Sequence, residues 1–173
     1  MKNIPKQFKW ILNEKMPKLV MFAMSLYGIT ERLATGHDNP MLLRWAKICG
    51  LKDYTNTKIP WCGLFMAYIC KMCGWPVVGC PLGAANWLHF CLVVDVAMFG
   101  DILIFARPGG HHVGLYIGED DLHYYVLAGN QGNKVCIVRV FKSRCIGIRR
   151  PFYQFQPANV RVIRLNGGVP VSP

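Results

Sequence analysis

A chain of 173 residues with 53% hydrophobic and 17% charged residues is long enough to bury one sizeable core, and this composition excludes a disordered or low-complexity polymer. Twenty Lys and Arg against nine Asp and Glu leave a formal charge of +11, which favours an anionic partner or substrate. The excess is skewed, because residues 122–173 carry eight basic and no acidic side chains.

The first half of the chain reads helical. The apolar run 19–29 is shorter than the roughly 18 residues needed to cross a bilayer. It also follows eighteen mixed residues including Pro5 and Pro17, unlike a secretory signal. A core helix is therefore expected from Pro17 to about Leu26, ended by Gly28, and synthesis in a cytoplasm without a signal peptide. Asn39-Pro40 reads as a cap and a first-turn proline for a helix over 41–49, stopped by Gly50. The run 62–73 is apolar on every side except Lys71, which predicts a central buried helix closed by Gly74. A short helix is expected over 82–91.

After Gly100 the hydrophobic period changes to two. Strands are expected over 101–105, 112–118, 123–128, 135–140 and 145–149, with an edge strand in the tail from Pro157 and a mobile end over 166–173. Helices first and an antiparallel meander second define an α+β class. The organisation is one domain over 19–156, flanked by a basic segment 1–18 and a basic tail 157–173. The eight cysteines sit mostly in apolar surroundings and read as buried hydrophobes rather than a disulfide framework. Cys70-Lys71-Met72-Cys73 is formally a CxxC, but it lies mid-helix with no second pair at ligand spacing. No metal or cofactor is expected.

Pro60-Trp61-Cys62-Gly63 places a cysteine where a loop enters a helix, where unpaired amides and the helix dipole lower a thiol pKa and can face an oxyanion. A thiolate hydrolase also needs a base. His112 opens an alternating strand and shares a face with Gly114, a glycine expected to admit the Cys62 helix. The neighbouring His111 is the alternate. A polar group must hold the imidazole in one tautomer, and Asn130 or Gln131, at the end of the next strand, is placed to do so.

Trp-Cys-Gly-Leu-Phe-Met-Ala-Tyr-Ile-Cys at 61–70, Gly-Asp-Ile-Leu-Ile-Phe at 100–105, His-Val-Gly-Leu-Tyr-Ile-Gly at 112–118 and Gly-Asn-Gln at 129–131 occur in this order. Together they resemble the papain-like cell-wall hydrolases of the CHAP and NlpC type. The likeness is greatest to the compact phage and prophage branch with a Pro-Trp-Cys-Gly nucleophile motif. Tyr27-Gly28-Ile29 with Glu31, Asn39-Pro40 and Arg149-Arg150-Pro151 match as well, so the resemblance covers residues 20–151. It implies a papain-like fold and a peptidoglycan hydrolase, endopeptidase or N-acetylmuramoyl-L-alanine amidase. Cys62 would be the nucleophile, His112 the base and Asn130 the orienting residue, with Gln131 its alternate and a Cys62–His112 ion pair at neutral pH. Trp61, Arg149 and Arg150 are expected at the substrate surface. The chain departs from many relatives in carrying Lys58-Ile59 where an acid precedes Pro-Trp-Cys.

The implied setting is a monomeric phage endolysin or virion-associated lysin, reaching the wall after release or within a particle. The alternatives are a non-catalytic wall-binding or phage tail component, and an antibacterial effector with the same chemistry. Arg139, Lys142, Arg144, Arg149, Arg150, Arg161 and Arg164, with Lys2, Lys6, Lys9, Lys15 and Lys18, are expected to meet anionic wall polymers or lipopolysaccharide. Nucleic-acid binding is not expected, because no base-reading motif is present.

Overall fold

The helices begin and end where local chemistry dictates. In the computed structural model, which describes residues 4–171, α1 spans Lys18–Ser25 with Pro17 as its N-cap. Helix α2 spans Pro40–Cys49, where the Asn39 side chain accepts a hydrogen bond from the Met41 amide and Gly50 closes the helix at φ 73°. Helix α3 spans Cys62–Cys73 and ends on Gly74 at φ 79°. Both closing glycines occupy the left-handed region that other residues rarely adopt. The segment expected as a helix over 82–91 is instead a short 3-10 helix, Ala84–His89. A second 3-10 helix, Lys6–Asn13, lies in the N-terminal segment and buries Phe8 and Ile11.

The strands are β1 (Leu92–Val93), β2 (Ile102–Arg107), β3 (Gly110–Glu119), β4 (His123–Gln131), β5 (Lys134–Phe141), β6 (Cys145–Arg150), β7 (Leu165–Asn166) and β8 (Val169–Pro170). Six form one sheet in the order β1-β6-β2-β3-β4-β5. Its pairs are antiparallel, so the mixed α+β class stands. The meander holds only from β2 to β5. After β5 the chain crosses back so that β6 pairs with β2, which a strand-by-strand reading of periodicity does not reveal.

Alternation along the strands divides the core in two. Ile104, Val113, Leu115, Ile117, Leu127, Val135 and Ile137 pack with α1, α2 and α3 in the larger cluster. Leu103, Phe105, Tyr116, Val126, Ala128 and Ile148 form a smaller cluster with Ala97, on the sheet face turned away from α3. Helix α3 is buried on nearly every side, and the Trp45 ring from α2 stacks on Tyr68 at 4.9 Å. This uniform burial explains why its sequence lacks a polar face.

The terminal segments pack on this body. Ile163 and Leu165 join the larger cluster, the Glu119 amide donates to the Ile163 carbonyl, and Trp10 Nε1 donates to the Gly168 carbonyl at 2.8 Å. Residues 166–170, expected to be mobile, belong to the β7–β8 hairpin. Lys2 and the last two residues lie outside the described residues. No described helix is long and apolar enough to cross a membrane.

Candidate active site

Cys62 occupies the first turn of α3, and its position is fixed from three directions. Trp61, the N-cap, is fully buried and donates its Nε1–H to Glu31 Oε2 at 3.1 Å. That bond ties the helix start to the 28–31 segment, which in turn pairs with β5 through Gly28, Ile29 and Thr30. Gly63 lies under the carbonyls of Pro81 and Leu82, where any Cβ would collide with both. Gly129 on β4 faces the helix, and a Cβ there would fall 2.5 Å from the Trp61 ring and 2.8 Å from Phe65 Cβ. The close approach of helix to sheet is therefore made at Gly129. Gly114, which was expected to admit the helix, instead faces Ala128 and Val126, each 2.6 Å from its notional Cβ. The reason is strand phase: Gly114 and His112 belong to the phase of β3 turned away from α3, and Val113 and His111 to the phase turned toward it.

The backbone amides of Val113, Gly63 and Cys62 lie close enough to the Cys62 sulfur to favour its thiolate. The Val113 amide is part of the peptide that joins it to His112, so the thiol lies against the backbone of the candidate base. His112 is buried, and its Nε2 lies 3.1 Å from Gln131 Oε1. Gln131 spends its amide group on the Val126 and Cys136 carbonyls, at 3.1 and 2.6 Å. With both N–H bonds committed, Oε1 is left toward the ring and can only accept. His112 must then donate through Nε2–H, which leaves the lone pair on Nδ1 for accepting a proton.

The residue that meets the His112 ring is thus Gln131, the alternate, and not Asn130. A bulge in β4 explains the exchange. Ala128 pairs with Cys136 and Gln131 with Lys134, so three steps along β4 match two along β5 and one residue is extra. Asn130 is in the left-handed region at φ 59°, which asparagine tolerates better than most residues. The extra residue shifts the phase and puts Gln131 on the His112 face. The Gly-Asn pair was the available signal for this bulge. His111, the other alternate, is exposed and pairs with Ala106 on β2.

The residues expected at the substrate surface are placed elsewhere. Trp61 has no exposure at all. Arg150 grips the buried Asp101 carboxylate through Nε and Nη2 at 2.9 and 2.8 Å and also donates to the Val96 carbonyl. Arg149 donates to the Leu88 and Ile148 carbonyls. Several expected wall-binding cations are likewise partnered: Arg139 with Asp120, Lys142 and Arg164 with Glu119, and Arg161 with Glu14. Sequence gives the number of charges but not their pairing.

Burial dominates the electrostatics. It pushes the Cys62 thiol up, against the opposing pull of the three amides and of Arg107. It also drives the His112 imidazole down to about 4, with Gln131 opposing and Arg107 and Arg144 adding to the fall. Desolvation favours the uncharged form of each group. The expected ion pair is therefore replaced, at neutral pH, by a neutral thiol and a neutral imidazole. A thiol raised above its ordinary 9.0 stays protonated between pH 6 and 8. The ultraviolet difference spectrum of wild type minus Cys62→Ala is accordingly expected to lack the thiolate band over this range and to gain it only in alkali. A band already developed at pH 7 would show that the pair is charged.

All eight cysteines are free. Among the described residues no group of three or more His, Cys, Asp or Glu side chains is placed to hold a metal ion. The chain matches no known protein family and no curated protein sequence.

Proposed function

We propose that the protein is a papain-like cysteine hydrolase acting on amide bonds of bacterial peptidoglycan, as an endopeptidase or an N-acetylmuramoyl-L-alanine amidase. The observation that carries this reading is that the Cys62 thiol lies near the Val113 amide, next along β3 from His112, while Gln131 holds Nε2 of the His112 ring. Nucleophilic catalysis by a thiol requires a nucleophile, a base and an orienting group, and these three residues supply those types.

In the proposed reaction, Nδ1 of His112 takes the thiol proton as Sγ attacks the amide carbonyl carbon. A neutral starting pair makes that transfer part of the attack itself. The backbone amide of Cys62, at the N-terminus of α3, supports the oxyanion. The imidazolium then gives its proton to the departing amine, leaving an acyl-thioester. His112 next takes a proton from water as the water attacks the thioester, and returns it to the sulfur. Gln131 keeps Nε2 protonated throughout.

The wall as substrate rests on the motif resemblance and on the net charge of +11, and so does the role of a phage endolysin or virion-associated lysin. A second reading, a wall-binding component without catalysis, is favoured by the 2% exposure of Cys62, because an attacking sulfur must meet its substrate. Clearing of peptidoglycan in a zymogram decides between them. Wild-type protein is expected to clear, and Cys62→Ala to lose at least about a hundredfold of that activity while keeping its melting temperature. Clearing undiminished in Cys62→Ala would remove the thiol from the mechanism. Mass analysis of the released muropeptides identifies the bond cut.

A further inference from the structure

One groove of about 290 Å³ opens directly on the candidate base. Phe105, Val138 and Val140 supply its apolar lining, His112, Asn130 and Gln131 are its neutral polar groups, and Arg107, Arg139 and Arg144 are its charges. No acidic side chain lines it. We propose that this groove is a carboxylate-recognising subsite, in which Arg107 and Arg144 hold an acidic group of the peptide substrate beside His112. The proposal deepens the hydrolase reading and rests on it, since it names the substrate feature selected beside His112, in a groove that Cys62 does not line.

The three arginines are not equivalent. Arg139 is already paired with Asp120 at 2.8 Å. Arg144 uses Nε to donate to the Ala106 carbonyl at 3.0 Å, which anchors the guanidinium and leaves its terminal nitrogens for a ligand. Among the described residues the Arg107 side chain has neither an ion-pair nor a hydrogen-bond partner, while its backbone pairs with Gly110. Arg107 lies two residues beyond Phe105 on β2 and in phase with it, and Phe105 is the β-partner of His112. Strand alternation therefore carries Arg107 to the His112 face. Two guanidiniums around a neutral, partly apolar groove suit a carboxylate, which guanidinium can bind bidentately.

The placement also couples binding to chemistry. Arg107 acts electrostatically on both Cys62 and His112, and Arg144 acts on His112. These cations oppose protonation of the imidazole, together with burial, while Gln131 favours it. A bound carboxylate offsets their charge, so the imidazolium needed during attack forms more readily when an acidic substrate is in place. A neutral substrate gains neither the contact nor this relief.

The test uses the full-length protein and two probes: purified sacculi, and the same sacculi with their free carboxyl groups converted to amides. Wild type is expected to cut native sacculi at least about tenfold more efficiently than amidated ones, a difference of about 1.4 kcal/mol. Arg107→Gln and Arg144→Gln are expected to raise the half-saturating concentration of native sacculi and to lose most of that preference, with the maximal rate changed less. Arg107→Gln should also move the acid limb of kcat/KM to higher pH, because one cation opposing imidazolium is gone. Lys52→Gln, which removes the same charge beside α2, is the control for bulk attraction. Equal losses in Lys52→Gln and Arg107→Gln, or a preference unchanged in both arginine variants, would overturn the subsite while leaving the hydrolase reading intact. Sedimentation of Cys62→Ala with the two kinds of sacculi measures the same preference without turnover, and equal binding there also overturns it. No cleavage of either probe by wild type, with clear binding, would instead sink the hydrolase reading.

Discussion

If the protein is the proposed peptidoglycan hydrolase, Gln131→Leu is expected to lower its kcat/KM by about 10²–10⁴-fold, the range that a correctly held proton-transfer group contributes, whereas Asn130→Gly leaves it near the wild-type value. The asymmetry follows from the bulge. Gln131 Oε1 is the acceptor that fixes Nε2–H of His112, and without it the ring is free to take the tautomer with its proton on Nδ1, which cannot accept one from the thiol. Asn130 supplies a left-handed backbone at φ 59°, and glycine adopts that conformation at least as easily. Gln131→Leu also strips donors from the Val126 and Cys136 carbonyls, a loss of about 1–3 kcal/mol for each buried group left unpaired. Melting temperatures therefore accompany the kinetics, and Gln131→Glu, which retains an acceptor, is expected to recover part of the rate. Loss of activity in Asn130→Gly with Gln131→Leu still active would reverse the assignment.

Arg150→Ala is expected to destabilise the fold by about 3–5 kcal/mol, because it leaves a buried carboxylate without its counter-charge. The Asp101 side chain has no exposure and that of Arg150 only 11%, so solvent cannot take the place of the guanidinium. The remaining charge-stabilising contact at Asp101 is the Met98 amide. Burial already pushes the Asp101 carboxyl up, with Arg150 pulling it down. Removing Arg150 raises it further, so the folded variant holds this proton more tightly than the unfolded chain. The variant's deficit is then smallest at low pH and grows as pH rises through the carboxylate range. Chemical denaturation of wild type and variant at pH 5 and pH 8 measures this. A deficit equal at both pH values, or below about 1 kcal/mol, the value of an exposed pair, would show that the contact is not a buried one. The pair also explains the Arg-Arg-Pro motif without a substrate: Arg150 of β6 holds the residue that precedes β2, beside the β2–β6 pairing.

How much was legible before folding can be judged from single residues. Asn39, Pro40, Gly50 and Gly74 announced two helices to within a residue, because caps and left-handed glycines act on the backbone next to them. The apolar run from Cys62 announced a buried helix for the same local reason, and the period-two strands announced the sheet. The 3-10 helix at Ala84–His89 was misread because its residues suit either helix, and packing of Trp87 against the Pro81 carbonyl selects the tighter form. The N-terminal segment read as basic with an apolar component in Phe8, Trp10, Ile11 and Leu12, and the fold buries Phe8 and Ile11, Phe8 against the distant Tyr125.

Cys62 as a helix-start thiol, His112 as a strand-borne imidazole and the Gly-Asn-Gln motif were all present in the sequence, since each is read from its immediate neighbours. Which residue holds His112 depended on a one-residue slip between β4 and β5. Which glycine admits α3 depended on the sheet face that packs against it, and which cations remain unpaired depended on carboxylates brought in from distant strands. The state of the thiol and imidazole was reversed by burial, a property of the whole assembly. Local sequence determines short-range backbone choices, and only the closed structure determines phase, partner and dielectric environment, because those arise where segments far apart in the chain meet.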